Sequence, residues 1–152
     1  MAVAQERPLP AGETLQFMQR MWDVVHALEV RSKAMARTLG VTGPQRLVLR
    51  IVSQSPGCTA RDISSTLGIH PSTLTGILAR LEARQLLVRT VDPADRRRAR
   101  FELTPAAAVI IRTRRGTVES AVRQAIAKAG PEALAVTASF LTLLSELLLS
   151  GA

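Results

Sequence analysis

The chain has 152 residues, 47% of them hydrophobic and 3% aromatic, and carries a formal charge of +8 from 20 Lys and Arg against 12 Asp and Glu. That length suits one domain with a core of its own, and the basic balance favours a polyanionic partner. A single cysteine, Cys58, excludes an intrachain disulfide and any zinc cluster built on several thiolates.

Residues 1–12 are polar and contain Pro8, Pro10 and Gly12, which predicts a loose arm. The N-terminus holds no apolar run of signal-peptide length. No stretch approaches the roughly 18 uninterrupted apolar residues of a membrane span, so a soluble cytoplasmic protein with no membrane partner is expected. From Glu13 to about Leu39 the periodicity becomes helical. Leu15, Met18, Trp22, Val25, Leu28, Met35 and Leu39 recur at three- and four-residue spacing, opposite Arg20, Asp23, Arg31 and Lys33. Gly40 is placed to stop this helix.

Thr42-Gly-Pro-Gln45 reads as a capping box opening a second helix, with Leu47, Val48, Ile51 and Val52 inward and a stop at Ser55-Pro56-Gly57. Thr59-Ala-Arg-Asp62 is another capping box, and Ile63, Leu67 and Ile69 give the short helix that follows its buried face. After a turn at Gly68, a further helix runs from about His70 to Arg84. Pro71 stands at its first position, and Leu74, Ile77, Leu78 and Leu81 form its inward stripe. Leu86–Val91 and Arg98–Leu103 read as two strands of a hairpin, with Val88 and Phe101 inward and Arg89 and Arg100 outward. The hairpin's tip is Asp92-Pro-Ala-Asp-Arg-Arg-Arg98. Thr104-Pro105 starts an amphipathic helix expected to reach about Lys128, broken by Gly130-Pro131. A last helix, residues 132–149, is so apolar that it implies burial in a subunit interface.

Two helices and a basic hairpin in this order form a winged helix-turn-helix, inside a mostly α chain of α+β winged-helix type. Positive charge collects there. Residues 41–104 hold 10 basic groups against 5 acidic ones, whereas the flanks are close to neutral. Phosphate neutralisation calls for that distribution. Ser72, Thr73 and Thr75, in the first turns of the second helix, are candidates for hydrogen bonds to base edges or phosphates, although hydroxyls also gather at helix starts as caps. Arg80 and Arg84 are candidate phosphate contacts, Arg84 alternatively a solvated face, and His70 at the helix start is another candidate. Arg96, Arg97 and Arg98 repel one another at a hairpin tip, and a polyanion relieves that repulsion better than solvent does.

The segments HPSTLTGILARLEARQLLVR and DPADRRRARFELT resemble the recognition helix and wing of the MarR family of bacterial transcriptional regulators. The resemblance covers roughly residues 14–150 in element order and is sharpest over 41–104. It implies a homodimer whose first and last helices (13–40 and 105–150) intertwine, with two winged units (41–104) reading the halves of a palindromic duplex. It further implies that Arg97 enters the minor groove and that Asp95 orients the wing through a salt bridge. Regulators of this family, repressors among them, often release DNA when a small aromatic, anionic ligand binds. Trp22 and His26, with the helix entering at Thr42, are the candidates to line such a pocket. Gln85 departs from the family's pattern, standing where relatives usually carry Gly.

No nucleophile, base and orienting group form a recognisable motif, and no phosphate-cradling glycine loop occurs. Two histidines on different elements are too few for a metal site. The expectation is therefore a non-enzymatic regulator without metal or cofactor, with Cys58 a small buried filler. The alternatives are an architectural DNA-binding dimer of low sequence specificity and a winged-helix module that binds protein instead of DNA.

Overall fold

The computed structural model describes residues 12–150. Of the expected N-terminal arm, residues 1–11 lie outside them. Helix α1 (Glu13–Thr38) leads to α2 (Gly43–Gln54), strand β1 (Cys58–Thr59), α3 (Ala60–Leu67) and α4 (Pro71–Ala83). The hairpin β2 (Leu87–Val91) and β3 (Ala99–Leu103) follows, then α5 (Pro105–Arg112) and α6 (Val118–Ser150).

The expected caps form where the sequence places them. Thr42 and Gln45 satisfy each other's backbone N–H groups at the start of α2, and Thr59 and Asp62 do the same for α3. Thr104 caps α5 by accepting from the Ala107 N–H. Gly68 ends α3 at φ 64°, a left-handed conformation that glycine adopts without a Cβ penalty, and so sets the turn into α4. After α4 the same role falls to Gln85, at φ 55°.

The sheet has the order β1-β3-β2 and is antiparallel throughout, with Leu87 opposite Leu103 and Arg89 opposite Phe101. β1 is an addition to the sequence reading, which leaves Cys58 in a loop. Cys58 pairs with Phe101, and the Gly57 N–H donates to the Phe101 carbonyl at 2.9 Å. The register also corrects the strand phase. Leu87 is the buried residue of β2, whereas Val88 faces out beside Glu102 and is 46% exposed. Side chains alternate across a strand, so a one-residue change of phase reverses every face. In α2 the inward residues are Val48, Leu49 and Val52, and Leu47 is exposed instead of inward.

One core joins α2, α3, α4, the sheet and the first turns of α5. Val48, Leu49, Ile63, Leu74, Leu81 and Phe101 lie at its centre. The helix expected from residue 105 to about 128 is two elements. α5 stops at Arg112, and Thr117, 2% exposed, opens α6 by accepting from the Ser120 N–H. Gly130 carries non-helical torsions next to Pro131, so α6 bends at the expected break.

α1 and α6 share little of this core. Met35 is the buried residue of α1, and α6 has none. Phe17 and Phe140 meet edge to face at 4.8 Å, joining the two helices within the chain. Their remaining apolar groups, among them Trp22, Leu28, Leu141, Leu143 and Leu148, are exposed in the single chain. α6 is also long and apolar enough to cross a membrane by length and composition, with a mean hydropathy of 1.8 over its most apolar window. The expectation of no membrane-length segment is corrected to that extent, because Glu132 and Glu146 interrupt the run without breaking the helix.

Candidate nucleic-acid interface

Helix α4 starts on an unusual cap. The His70 Nδ1 accepts from the Ser72 N–H at 3.2 Å and lies 2.7 Å from the Ser72 hydroxyl. Acceptance at Nδ1 assigns the neutral ring's proton to Nε2, which leaves that nitrogen as a donor at the helix end. Ser72, Thr73, Thr75 and Arg80 are all exposed on α4, opposite the buried Leu74, Ile77, Leu78 and Leu81. The Thr75 hydroxyl donates to the Pro71 carbonyl at 2.9 Å, so its oxygen keeps acceptor capacity toward the surface. Arg84 turns away from this face. A Cβ at Gly40 would sit 2.6 Å from its Nη2, so Arg84 packs over the turn between α1 and α2.

The wing is closed at its base by Asp92, a residue the sequence reading does not single out. Its carboxylate is buried, accepts the Ala94 N–H at 2.9 Å and receives Arg100 through Nε at 3.0 Å and Nη2 at 2.9 Å. The Ala94 hydrogen bond, joined by the Arg100 guanidinium, holds the Asp92 carboxyl below its ordinary range despite burial. Asp95 sits nearer the tip. Its Oδ1 accepts the Arg97 N–H at 3.0 Å and lies 3.5 Å from Arg97 Nε, while Oδ2 lies 3.9 Å from Arg98 Nε. The Arg97 side chain is 94% exposed, so this pair orients the chain more than it stabilises the fold.

Between α4 and the wing runs an open groove of about 380 Å³. Thr75 lines it from the helix, Arg97 and Arg98 from the wing, Arg61 from the start of α3 and Arg89 from β2, with Glu82 the acidic lining residue. The structure thus brings together three of the expected residues, Thr75, Arg97 and Arg98. It adds Arg61, and it adds Arg89 as a correction: paired with Phe101, Arg89 shares that residue's face of the hairpin at the groove instead of the outward face expected. Ser72, Thr73, Arg80 and His70 stand along the exposed face of the same helix, and Arg96 is exposed on the wing. Four guanidiniums beside one carboxylate make a concave, strongly positive surface suited to phosphate.

The proposed ligand-lining pair lies elsewhere. Trp22, 64% exposed, and His26 are one turn apart on α1, on the helix whose apolar surface the chain alone leaves open. Cys58 is buried in β1 beside β3, and burial, with the charge of Asp62, raises its thiol above the ordinary value. No group of three or more potential metal ligands gathers among the described residues.

A helix-turn-helix whose second helix presents hydroxyls beside a basic β-hairpin defines the class, a winged helix-turn-helix protein. Residues 39–98 match the model of the MarR family. A Thauera aromatica protein, named as a candidate transcriptional regulatory protein for the hcr operon, is 27% identical over 74 residues. That match takes in 49% of this chain and spans 45% of the relative's length. Among solved structures, the S. aureus MepR–DNA complex superposes with a TM-score of 0.72 at 23% identity, over 90% of this chain and 99% of that one. The PcaV regulator of Streptomyces coelicolor, solved with its natural ligand, gives 0.69 at 23% identity over 96% and 98%. At these identities the two structures establish the shared fold.

Proposed function

We propose that the protein is a homodimeric transcriptional regulator, a repressor and not an enzyme, that acts in the cytoplasm by reading a palindromic DNA operator. One observation carries the reading. Thr75 of α4 and four arginines from α3, β2 and the wing converge on a single groove, and Ser72 and Thr73 stand exposed on the same helix. In this reading Ser72, Thr73 and Thr75 approach base edges from α4, Arg97 reaches into the adjacent minor groove, and Arg80, Arg96, Arg98 and His70 hold the phosphates. The names of the Thauera relative and of the DNA-bound S. aureus structure support it.

The apolar surfaces of α1 and α6 supply the dimer. Leucines exposed in such number along α6 fit burial against a second copy. Two winged units then face half-sites about one helical turn, roughly 34 Å, apart. A small anionic aromatic effector, held near Trp22 and His26, releases DNA by binding the DNA-incompetent arrangement more tightly. The ligand-bound Streptomyces structure supports an effector in this fold. Operator affinity unchanged across a panel of aromatic acids would remove the effector from the account.

The test is the ratio of affinities for a retained genomic fragment and for bulk DNA at about 0.15 M salt. A sequence reader gives a ratio of about 10³ or more. A ratio near one would instead identify an architectural DNA-binding dimer.

A further inference from the structure

Arg46 lies on α2 and is 1% exposed, the most voluminous of the fully buried side chains. It does not point at the groove. Its Nη1 donates to the Ile110 carbonyl at 2.6 Å, and Nη2 donates to Ile111 at 3.3 Å and Thr113 at 2.6 Å. Its Nε donates to Glu119 Oε1 at 2.8 Å. The three carbonyls are those of the last turn of α5 and its cap, where helices leave carbonyls short of partners; that of Ile110 also accepts the Thr113 N–H at 3.2 Å. Glu119 belongs to the first turn of α6. A guanidinium matches this set because its planar fork donates along several fixed directions at once, and the negative end of the helix favours a cation.

From these contacts we propose that Arg46 is a positioning residue for DNA reading. It bolts the winged helix to the arm formed by α5 and α6, and so sets where α4 stands relative to that arm. The proposal deepens the regulator reading and rests on it for the DNA part alone. Beyond the opening turn of α5, the hydrogen bonds from the winged helix to residues 105–150 are, among the described residues, the four from Arg46. Apolar packing holds α5 through Ala107, Ile110 and Ile111 but adds little for α6, which buries no side chain in the core. On its other flank α2 is tied to α1, where the Gly43 N–H donates to the Ser32 hydroxyl at 2.8 Å. α2 is therefore pinned between both long helices while its Val48, Leu49 and Val52 belong to the winged-helix core.

The ion pair is one-sided. Glu119 Oε2 is buried without a hydrogen-bond partner, in a small recess it shares with Arg50, Arg114 and Arg123. The geometry that α5 and α6 take up against α2 thus depends on the one contact through Oε1 together with the three carbonyls.

The experiment places spin labels at Ala83→Cys on α4 and Ala125→Cys on α6, both exposed positions, in a Cys58→Ala background. Labelled chains diluted into unlabelled ones give the distance within one chain, whether or not it dimerises or binds DNA. Arg46→Met removes all four donations at similar volume, Arg46→Lys keeps the charge without the fork, and Glu119→Gln keeps an acceptor without the charge. The proposal expects Arg46→Met to shift or broaden the distance distribution and to weaken binding to the retained genomic fragment by about tenfold or more, although Arg46 is too buried to touch DNA. Arg46→Lys should recover part of both, and Glu119→Gln should show a smaller broadening in the same direction. A wild-type distribution in folded Arg46→Met, or in both Arg46→Lys and Glu119→Gln should Arg46→Met not fold, overturns the proposal. A broadened distribution in a protein whose wild type binds no duplex supports the bolt and removes the DNA reading instead.

Discussion

Arg100 on β3 grips the buried carboxylate of Asp92 through both Nε, at 3.0 Å, and Nη2, at 2.9 Å, at the base of the wing. The same carboxylate takes the Ala94 N–H, so one side chain fixes both the turn leaving β2 and the strand that returns. Its acidity is raised in the folded state, so its contribution to stability is complete above the ordinary carboxylate pKa of 3.8 and is lost as pH falls through the depressed value. Amide protection factors across residues 92–98, taken relative to the intrinsic exchange rate at each pH, should therefore hold down to about pH 4 and fall below it. In Asp92→Asn the protection should be lower at neutral pH and nearly flat with pH. Asp62, lowered chiefly by the Thr59 backbone N–H, gives the start of α3 the same acid sensitivity, which the Asp92 variant should leave in place.

If the groove arginines neutralise phosphates, removing one changes the salt dependence and not only the affinity. Arg97→Ala should lower the slope of log K against log salt by about 1. Arg115→Ala, an exposed arginine in the turn between α5 and α6, should leave that slope unchanged. Binding isotherms at several salt concentrations distinguish the two variants.

Gln85 holds φ 55° at the end of α4, and its carbonyl accepts the Thr104 hydroxyl at 2.8 Å. That hydrogen bond needs the backbone conformation but not the side chain. Gln85→Gly should keep it, relieve the left-handed strain and raise stability by up to about 1 kcal/mol. Chemical denaturation with an unchanged m-value would show the gain, and a loss of stability would count against the strain.

Burial, and then the nearby charge of Asp62, keep the Cys58 thiol protonated. In the native state it should react with a thiol-specific disulfide reagent only at the rate of opening, and peroxide should leave duplex affinity unchanged. Rapid labelling of the folded protein would show that β1 opens freely from β3.

The capping boxes at Thr42 and Thr59, the Gly68 turn and the stripe from Leu74 to Leu81 were legible because each is a local pattern with a local cause. The wing arginines were legible by their crowding, and Gln85 by its departure from the glycine usual after the recognition helix. Strand phase was not. Leu86-Leu87-Val88 offers two alternations, and only pairing with Leu103 selects Leu87. The end of α5 was missed although Gly116 and the Thr117 cap mark the start of the next helix. Arg46 was the deepest omission. Its acceptors lie 64 to 73 residues further along the chain, so nothing beside it names them. A charged residue three positions before the buried Leu49, on the inward arc of α2, was the available signal.

The most direct test of sequence-specific reading through this groove is selection of bound duplexes from a random pool at about 0.15 M salt, with wild type beside Arg97→Ala. A groove that reads sequence enriches a palindrome with half-sites one helical turn apart, and Arg97→Ala weakens or abolishes that enrichment. Retention of duplexes without any enriched sequence would contradict sequence-specific reading.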